Sequence, residues 1–326
     1  MMTSRGAQAE PLAFVISTQA ASDTALLSEL IDRGEKIKNG ALTVTAARKG
    51  LAGDDSVEIE GGVLTVTALT DAIHAENTED QTKGTVTISG GTLTLSAGND
   101  GVDGSGDVTV SGGTLYITSG SAMGTTESGK GVKSAQNIAI TGGTLGIKAK
   151  DDGVHADGSV RVTGGQIAVS SEDDALHAAA LLQVDGGQIA VSAVEGLEAT
   201  YVKITGGTIQ IKASDDGINA GRKSDACTPT VEISGGDITI EMGAGDTDGV
   251  DSNGNIIVSG GTITITGNSS FDYDGAAQYT GGTIIVNGQT LDYIPNQFMG
   301  GRGGFGGWGG SAGGNNGGFN SRGRRG

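Results

Sequence analysis

The chain has 326 residues, 61 of them glycine and only 3% aromatic, with a net charge of −18. So much glycine excludes an ordinary globular composition and directs attention to periodicity. The last 26 residues carry four arginines (Arg302, Arg322, Arg324, Arg325) and no acid, which leaves −22 on the first 300. A body this acidic repels nucleic acid and anionic membranes and attracts cations, so neither nucleic-acid binding nor membrane insertion is expected. A single cysteine, Cys227, excludes an internal disulfide framework and a cysteine-rich zinc site.

In chain order, the first apolar run is "PLAFVI" (11–16). It is too short to span a membrane and poor as the apolar part of an export signal, so none is read there. Residues 22–32, "SDTALLSELID", predict a short amphipathic helix with Ser22 as N-cap, placed to cover the open edge of the first repeat unit. Residues 1–35 are therefore read as an N-terminal segment.

Ten glycine pairs then punctuate residues 61–282, spaced 20 to 30 residues apart around a base period near 21. The longer gaps are base units carrying the loops 76–84, 120–130 and 221–230, and residues 36–46 form a degenerate first unit. Within a unit, apolar residues alternate before the glycine pair (Val86/Ile88, Val160/Val162, Val231/Ile233) and after it (Leu93/Leu95, Ile189/Val191, Ile263/Ile265). A third short element reads glycine-aliphatic-polar-small: "GVDG", "GVHA", "ALHA", "GLEA", "GINA", "GVDS". Period-two alternation predicts strands with one buried face, and no helical period survives between Gly40 and Gly288. Units this short have no core alone but share one when stacked. The expected fold is all-β: a right-handed parallel β-helix of about eleven coils, three short strands per coil, over residues 36–299. The Gly/Arg-rich tail at 300–326 is expected to be disordered. A nonapeptide calcium solenoid fails for want of its period. An ice-binding threonine array is broken where Thr92/Thr94 and Thr262/Thr264 give way to Tyr116, Ala168, Ala190 and Gln210.

Aligning the units turns the period into columns. The position just before the third strand reads Lys49, Asp71, Asp100, Lys130, Asp152, Asp174, Glu195, Asp216, Asp248, Asp274. One residue earlier stand Asp151, Asp173 and Asp215. The polar position of the third strand reads Ala52, His74, Asp103, Lys133, His155, His177, Glu198, Asn219, Asp251, and so contains all three histidines. Carboxylates stacked about 4.8 Å apart repel one another. A calcium ion, with oxygen ligands at about 2.3–2.6 Å, could bridge two of them. The run Asp151 to Asp251, without a lysine in either column, is the strongest candidate, with Asp151, Asp152, Asp173, Asp174, Glu195, Glu198, Asp215, Asp216, Asp248 and Asp251 as ligands. For any one aspartate, a hydrogen bond to nearby backbone N–H is an equally good account. His155 and His177 suit a transition metal better than calcium, or serve as hydrogen-bonding surface groups.

The motifs "DDGVHADG", "EDDALHAA", "VEGLEAT", "SDDGINAG", "DTDGVDSNGNIIVSGG" and "FDYDGAAQYTGG", in that order, resemble the bacterial carbohydrate-binding-domain family of extracellular parallel β-helix proteins. That family is similar in architecture to pectate lyases, and the resemblance covers about residues 36–300. It implies bound calcium, an extracellular or cell-surface location, and binding rather than cleavage of polygalacturonate (pectin) and cellulose. Lys49, Lys130 and Lys133 interrupt the acidic columns, so no metal role is carried to those levels. Members of that family usually begin with an export or lipoprotein signal and further N-terminal coils, and neither is expected from residues 1–35.

Three functional readings result. The first is a non-catalytic, calcium-dependent binder of acidic polysaccharide, with the ion between protein carboxylates and uronate. Aromatic stacking platforms are scarce; Tyr116 points outward on its strand as one candidate, against which stands its reading as a surface tyrosine with no role. The second is a calcium-assisted lyase with Arg161 or Lys203, in one outward column, as base, against which stands their simpler use as partners of the acids. The third is a structural spacer or adhesin stabilised by cations.

Overall fold

The computed structural model describes residues 13–17, 36–121, 129–244 and 247–296. The helix expected at 22–32 and the tail at 300–326 lie outside the described residues.

Each coil contributes one strand to each of three parallel sheets. One coil shows the plan: Ser159–Val162 in the first sheet, Gln166–Ser171 in the second, and the start of Leu176–Val184 in the third. Every parallel pairing joins a strand to its equivalent one coil away, as in Val160↔Leu182, Ile167↔Ile189 and Leu176↔Leu197. The fold is a parallel β-helix, and among the described residues no helix is present. Its apolar alternation becomes continuous internal stacks. In the first sheet Val86, Val108, Ile138, Val160, Leu182 and Val202 succeed one another with at most 1% exposure. Such a column shares its burial with the coils on either side.

The turn between first and second strands is made by the glycine pair. The second glycine of each pair has a positive φ, 94° at Gly187 for instance, and the backbone of the coil before lies close against it. Two features go beyond the sequence expectation. The strand Ala13–Ser17 pairs in parallel with Ala41–Ala46 and extends the second sheet's N-terminal edge. At the other end Gln289–Leu291 folds back antiparallel on Ala277–Val286 through Asn287 and Gly288, both at positive φ. An Asn-Gly hairpin of this kind ends the parallel stack, because an antiparallel strand cannot continue the coil.

Candidate functional site

The third strands place the predicted polar column in register: Ala52, His74, Asp103, Lys133, His155, His177, Glu198, Asn219 and Asp251 are successive partners. Asp272 follows Asp251. The acidic column three residues earlier is equally continuous, since Gly131, Gly153, Ala175, Gly196 and Gly217 donate to the carbonyls of Asp152, Asp174, Glu195, Asp216 and Asp248. The assignment of Asp274 to that column is corrected. The partner of Asp251 is Asp272, so the position three residues before it is Ser269, whose hydroxyl bonds the Asp248 carboxylate. Asp274 precedes a glycine as Asp152 does, which makes the two look equivalent in sequence.

The acids of this ladder are more occupied than free stacked carboxylates would be. One oxygen of Asp71, Asp100, Asp152 and Asp216 accepts the backbone N–H of the next coil's column residue, at 2.9–3.2 Å. The second oxygen commonly meets a cation. Asp152 Oδ2 lies 2.6 Å from His155 Nδ1 and 3.1 Å from Lys130 Nζ, and Asp151 lies 2.6 Å from the same ammonium. Asp100 Oδ2 is 3.2 Å from Lys133. His177 Nδ1 sits between Asp174 (2.9 Å) and Glu198 (2.7 Å), and the other Glu198 oxygen takes Lys223 at 2.5 Å. Asp151, Asp152, Asp174 and Glu198 are therefore compensated after all. Lys130 reaches in from the coil before, and Lys223 from the loop 221–230. Lysines outside the aligned acids become identifiable as partners only once the loop path is known.

Four groups bring three ligand atoms within 4.8 Å of one another: Asp152/His155/His177, Asp71/His74/Asp103, Asp174/His177/Glu198 and Asp151/Asp152/Asp173. These clusters could hold a metal ion. The Asp71/His74/Asp103 group is absent from the ligands expected from sequence, although its members stand in the same columns and His74 marks it there. The His155 and His177 rings stack with centroids 4.6 Å apart and planes 12° from parallel. An ion bound in the plane of one ring then lies off the plane of the other, so this stacking opposes a shared transition metal.

Electrostatics separates the levels. Burial alone would lower the His177 imidazole, but the bonds to Asp174 and Glu198 outweigh it and raise its pKa to about 9. Burial would raise Glu198, but His177 and Lys223 hold it well below the carboxylate range. Burial pushes Asp174 and Glu195 up, and repulsion from Glu198 adds to both. Farther along, burial and neighbouring aspartates raise Asp216 to about 7 and Asp251 to about 6. What sets these last levels apart is the neighbours acting on them, which are other aspartates rather than lysine or histidine; Asp216 is bonded by the Asp248 N–H. Two oxygens of the same column, Asn219 Oδ1 and Asp272 Oδ1, are buried with no hydrogen-bond partner among the described residues. They flank Asp251 on either side. Asp173, Asp215 and Asp274 are exposed beside the ladder.

These shifts set a stability profile. Carboxylates raised in the folded chain bind protons that the unfolded chain has already released, so their contribution falls as pH rises from about 4 to about 7. The His177 contribution is complete below about 6.5 and is lost as pH climbs through about 9. Depressed groups such as Asp152 and Glu198 weaken the fold only in stronger acid. In chelator, the melting temperature should therefore fall by on the order of 5 °C or more between pH 5 and pH 9. A flat or rising profile in a thermal-melt series over that range would contradict this account.

The two candidate lyase bases are both ion-paired. Arg161 holds Asp185 Oδ2 through Nε and Nη2 at 2.9 and 2.7 Å, and Lys203 holds Glu232 at 3.0 Å. Gln183 separates them in the first sheet, and the structure supports their reading as charge partners. Tyr116 points outward from the second sheet and is 55% exposed. Cys227 is a free thiol in the loop 221–230.

Comparison with known proteins adds the family. No curated protein matches the sequence. A solved structure, the polysaccharide lyase-like protein from C. thermocellum in a gadolinium derivative, is similar over 78% of this chain and 85% of that one. Its identity is 16% and its TM-score 0.30, a likeness too distant to carry function across. A family model described as carbohydrate-binding domain-containing protein matches residues 31–175 and 170–293, which takes in all the coils and the whole acidic ladder. The chain belongs to the family of carbohydrate-binding domain-containing proteins.

Proposed function

We propose that this protein binds acidic polysaccharide of the polygalacturonate (pectin) type without cleaving it, through calcium held at the C-terminal levels of the ladder. The observation that carries the reading is the pair of buried, partnerless oxygens, Asn219 Oδ1 and Asp272 Oδ1, on either side of Asp251. Asp216 and Asp248 stand in the neighbouring acidic column, so the side-chain oxygens along these levels are carboxylate and amide, the hard donors that calcium takes. At the levels of Asp152, Asp174 and Glu198 lysine and histidine already supply positive charge, whereas the groups acting on Asp251 are other aspartates. The exposed carboxylates of Asp215 and Asp274 lie at the rim. A uronate would complete the ion's coordination from solvent, and without that ion a body of this charge would repel it. Such a ligand implies an extracellular or cell-surface setting, as the sequence resemblance also does.

Affinity electrophoresis in gels containing polygalacturonate tests the reading. Retardation is expected with calcium and is expected to vanish with chelator. Retardation that survives chelation would refute the ion's role, and none under either condition would leave the cations with a stabilising role only. Incubation with polygalacturonate and calcium should produce no unsaturated-product absorbance. A rise abolished in Arg161→Ala would instead establish the lyase.

A further inference from the structure

The histidines of the third-strand column differ at Nδ1. His155 and His177 each bond the aspartate three residues earlier, Asp152 at 2.6 Å and Asp174 at 2.9 Å. His74 Nδ1 makes no hydrogen bond among the described residues, although His74 is only 8% exposed. Two carboxylate oxygens nonetheless crowd that atom, Asp103 Oδ2 at 2.9 Å and Asp71 Oδ2 at 3.3 Å. Neither is placed where an N–H could meet it, since a hydrogen bond wants its acceptor near the axis of the N–H.

Ligands of one ion crowd together in this way. Zinc takes imidazole nitrogen and carboxylate oxygen at about 2.0–2.2 Å, so its neighbouring ligands stand about 2.8–3.5 Å apart without pointing at one another. One ligand atom from each of Asp71, His74 and Asp103 lies within 4.8 Å of the other two. Asp71 and His74 come from one coil and Asp103 from the next. The surroundings hold the set in place. The other Asp71 oxygen accepts the Asp100 N–H at 3.2 Å, and Asp103 Oδ1 lies 3.5 Å from Lys133 Nζ. On the far side of the imidazole, Nε2 is 3.2 Å from Glu76 Oε2. A carboxylate there keeps the proton on Nε2 and leaves Nδ1 free to ligate. Lys49 Nζ also reaches Nε2, at 2.5 Å, and Glu76, at 3.2 Å. Because Nε2 cannot accept from the ammonium and carry a proton at once, an ion on Nδ1 requires Lys49 to settle on Glu76 alone. Both side chains are partly exposed and can make that shift.

We propose that Asp71, His74 and Asp103 bind one zinc-class ion that clasps two neighbouring coils near the N-terminal end of the solenoid. One imidazole nitrogen with two carboxylate oxygens suits zinc, whereas calcium takes oxygen and is poorly served by imidazole. The two carboxylates balance a divalent charge, and a tetrahedral ion keeps its fourth position for water. The other histidine groups are worse placed, because Lys130 already lies on Asp152 and Lys223 on Glu198. This site goes beyond the proposed polysaccharide binding and uses none of the residues assigned to calcium, so either can fail without the other.

Isothermal calorimetry tests it with zinc alone as probe, on the full chain stripped by chelator and returned to excess calcium. One zinc equivalent is expected, together with a rise in melting temperature. His74→Gln should weaken zinc binding by about a hundredfold or more, and Asp103→Asn by at least about tenfold, since losing even an outer partner of a ligand costs about 10–100-fold. The same column accepts Lys133 and Asn219, so both variants should keep the far-UV circular dichroism of the wild type. The double variant His155→Gln, His177→Gln should still bind zinc. No zinc binding by the wild type would overturn the proposal and leave His74 as an imidazolium held between two acids. Unchanged binding in His74→Gln and Asp103→Asn, or loss in the double variant instead, would put the ion elsewhere and overturn it equally.

Discussion

Chelator-treated protein at pH 8 should gain on the order of 5–10 °C in melting temperature when calcium is added at about a hundredfold excess over its Kd. Binding at that excess stabilises the folded state by about 2.7 kcal/mol, and a chain of this size shifts by about 2–4 °C per kcal/mol. The site predicted to respond is the one around Asp251, where Asp216 and Asp251 are pushed up by burial and by their acidic neighbours. The double variant Asp251→Asn, Asp272→Asn keeps the shape but removes two negative charges. Without calcium it should melt higher than wild type, because repulsion is relieved; with calcium it should show little further rise. The two melting curves thus cross in order, a pattern that general destabilisation cannot produce. An equal calcium response in the variant would eliminate this location for the ion, and no response in wild type would eliminate the ion itself.

The second large effect concerns the turn. Gly187→Val is expected to destabilise the solenoid by about 3 kcal/mol or more. Gly187 has φ of 94°, where a β-branched residue is strained, and its Cβ would come within 3.1 Å of the Gly164 carbonyl in the coil before. The neighbouring coil's turn cannot retreat, since it is stacked in the same way on the coil beyond it. Because each coil is supported only by its neighbours, the damage should spread as a loss of cooperativity. Chemical denaturation should show a lower midpoint together with a broadened or biphasic transition. A midpoint unchanged within error would mean that the glycine pair is not needed for the turn.

Much of the fold is legible in residue order, for a definite reason. A strand that slips by one residue turns its apolar face to water, so the alternation through Val160/Val162 and Ile189/Val191 sets which residues face inward at every level. The glycine period then sets which residues stack, and the columns holding His74, His155, His177 and Asp251 come directly from it. The closing hairpin is written in Asn287-Gly288, although periodicity alone does not point to it.

Periodicity could not supply the partner of each acid. A lysine side chain spans more than the distance between coils, so Lys130 and Lys223 were free on paper to point anywhere. Packing of the 221–230 loop over the ladder decided that Lys223 meets Glu198, and the coil corner decided that Asp152 spends one oxygen on the backbone of Asp174. Residue order alone thus determined the stacked coils and the columns of charge. Only the tertiary structure decided which charges are already answered, leaving the levels around Asp251 as the place with oxygens to offer, because side-chain reach and loop path are set by contacts across coils rather than by spacing along the chain.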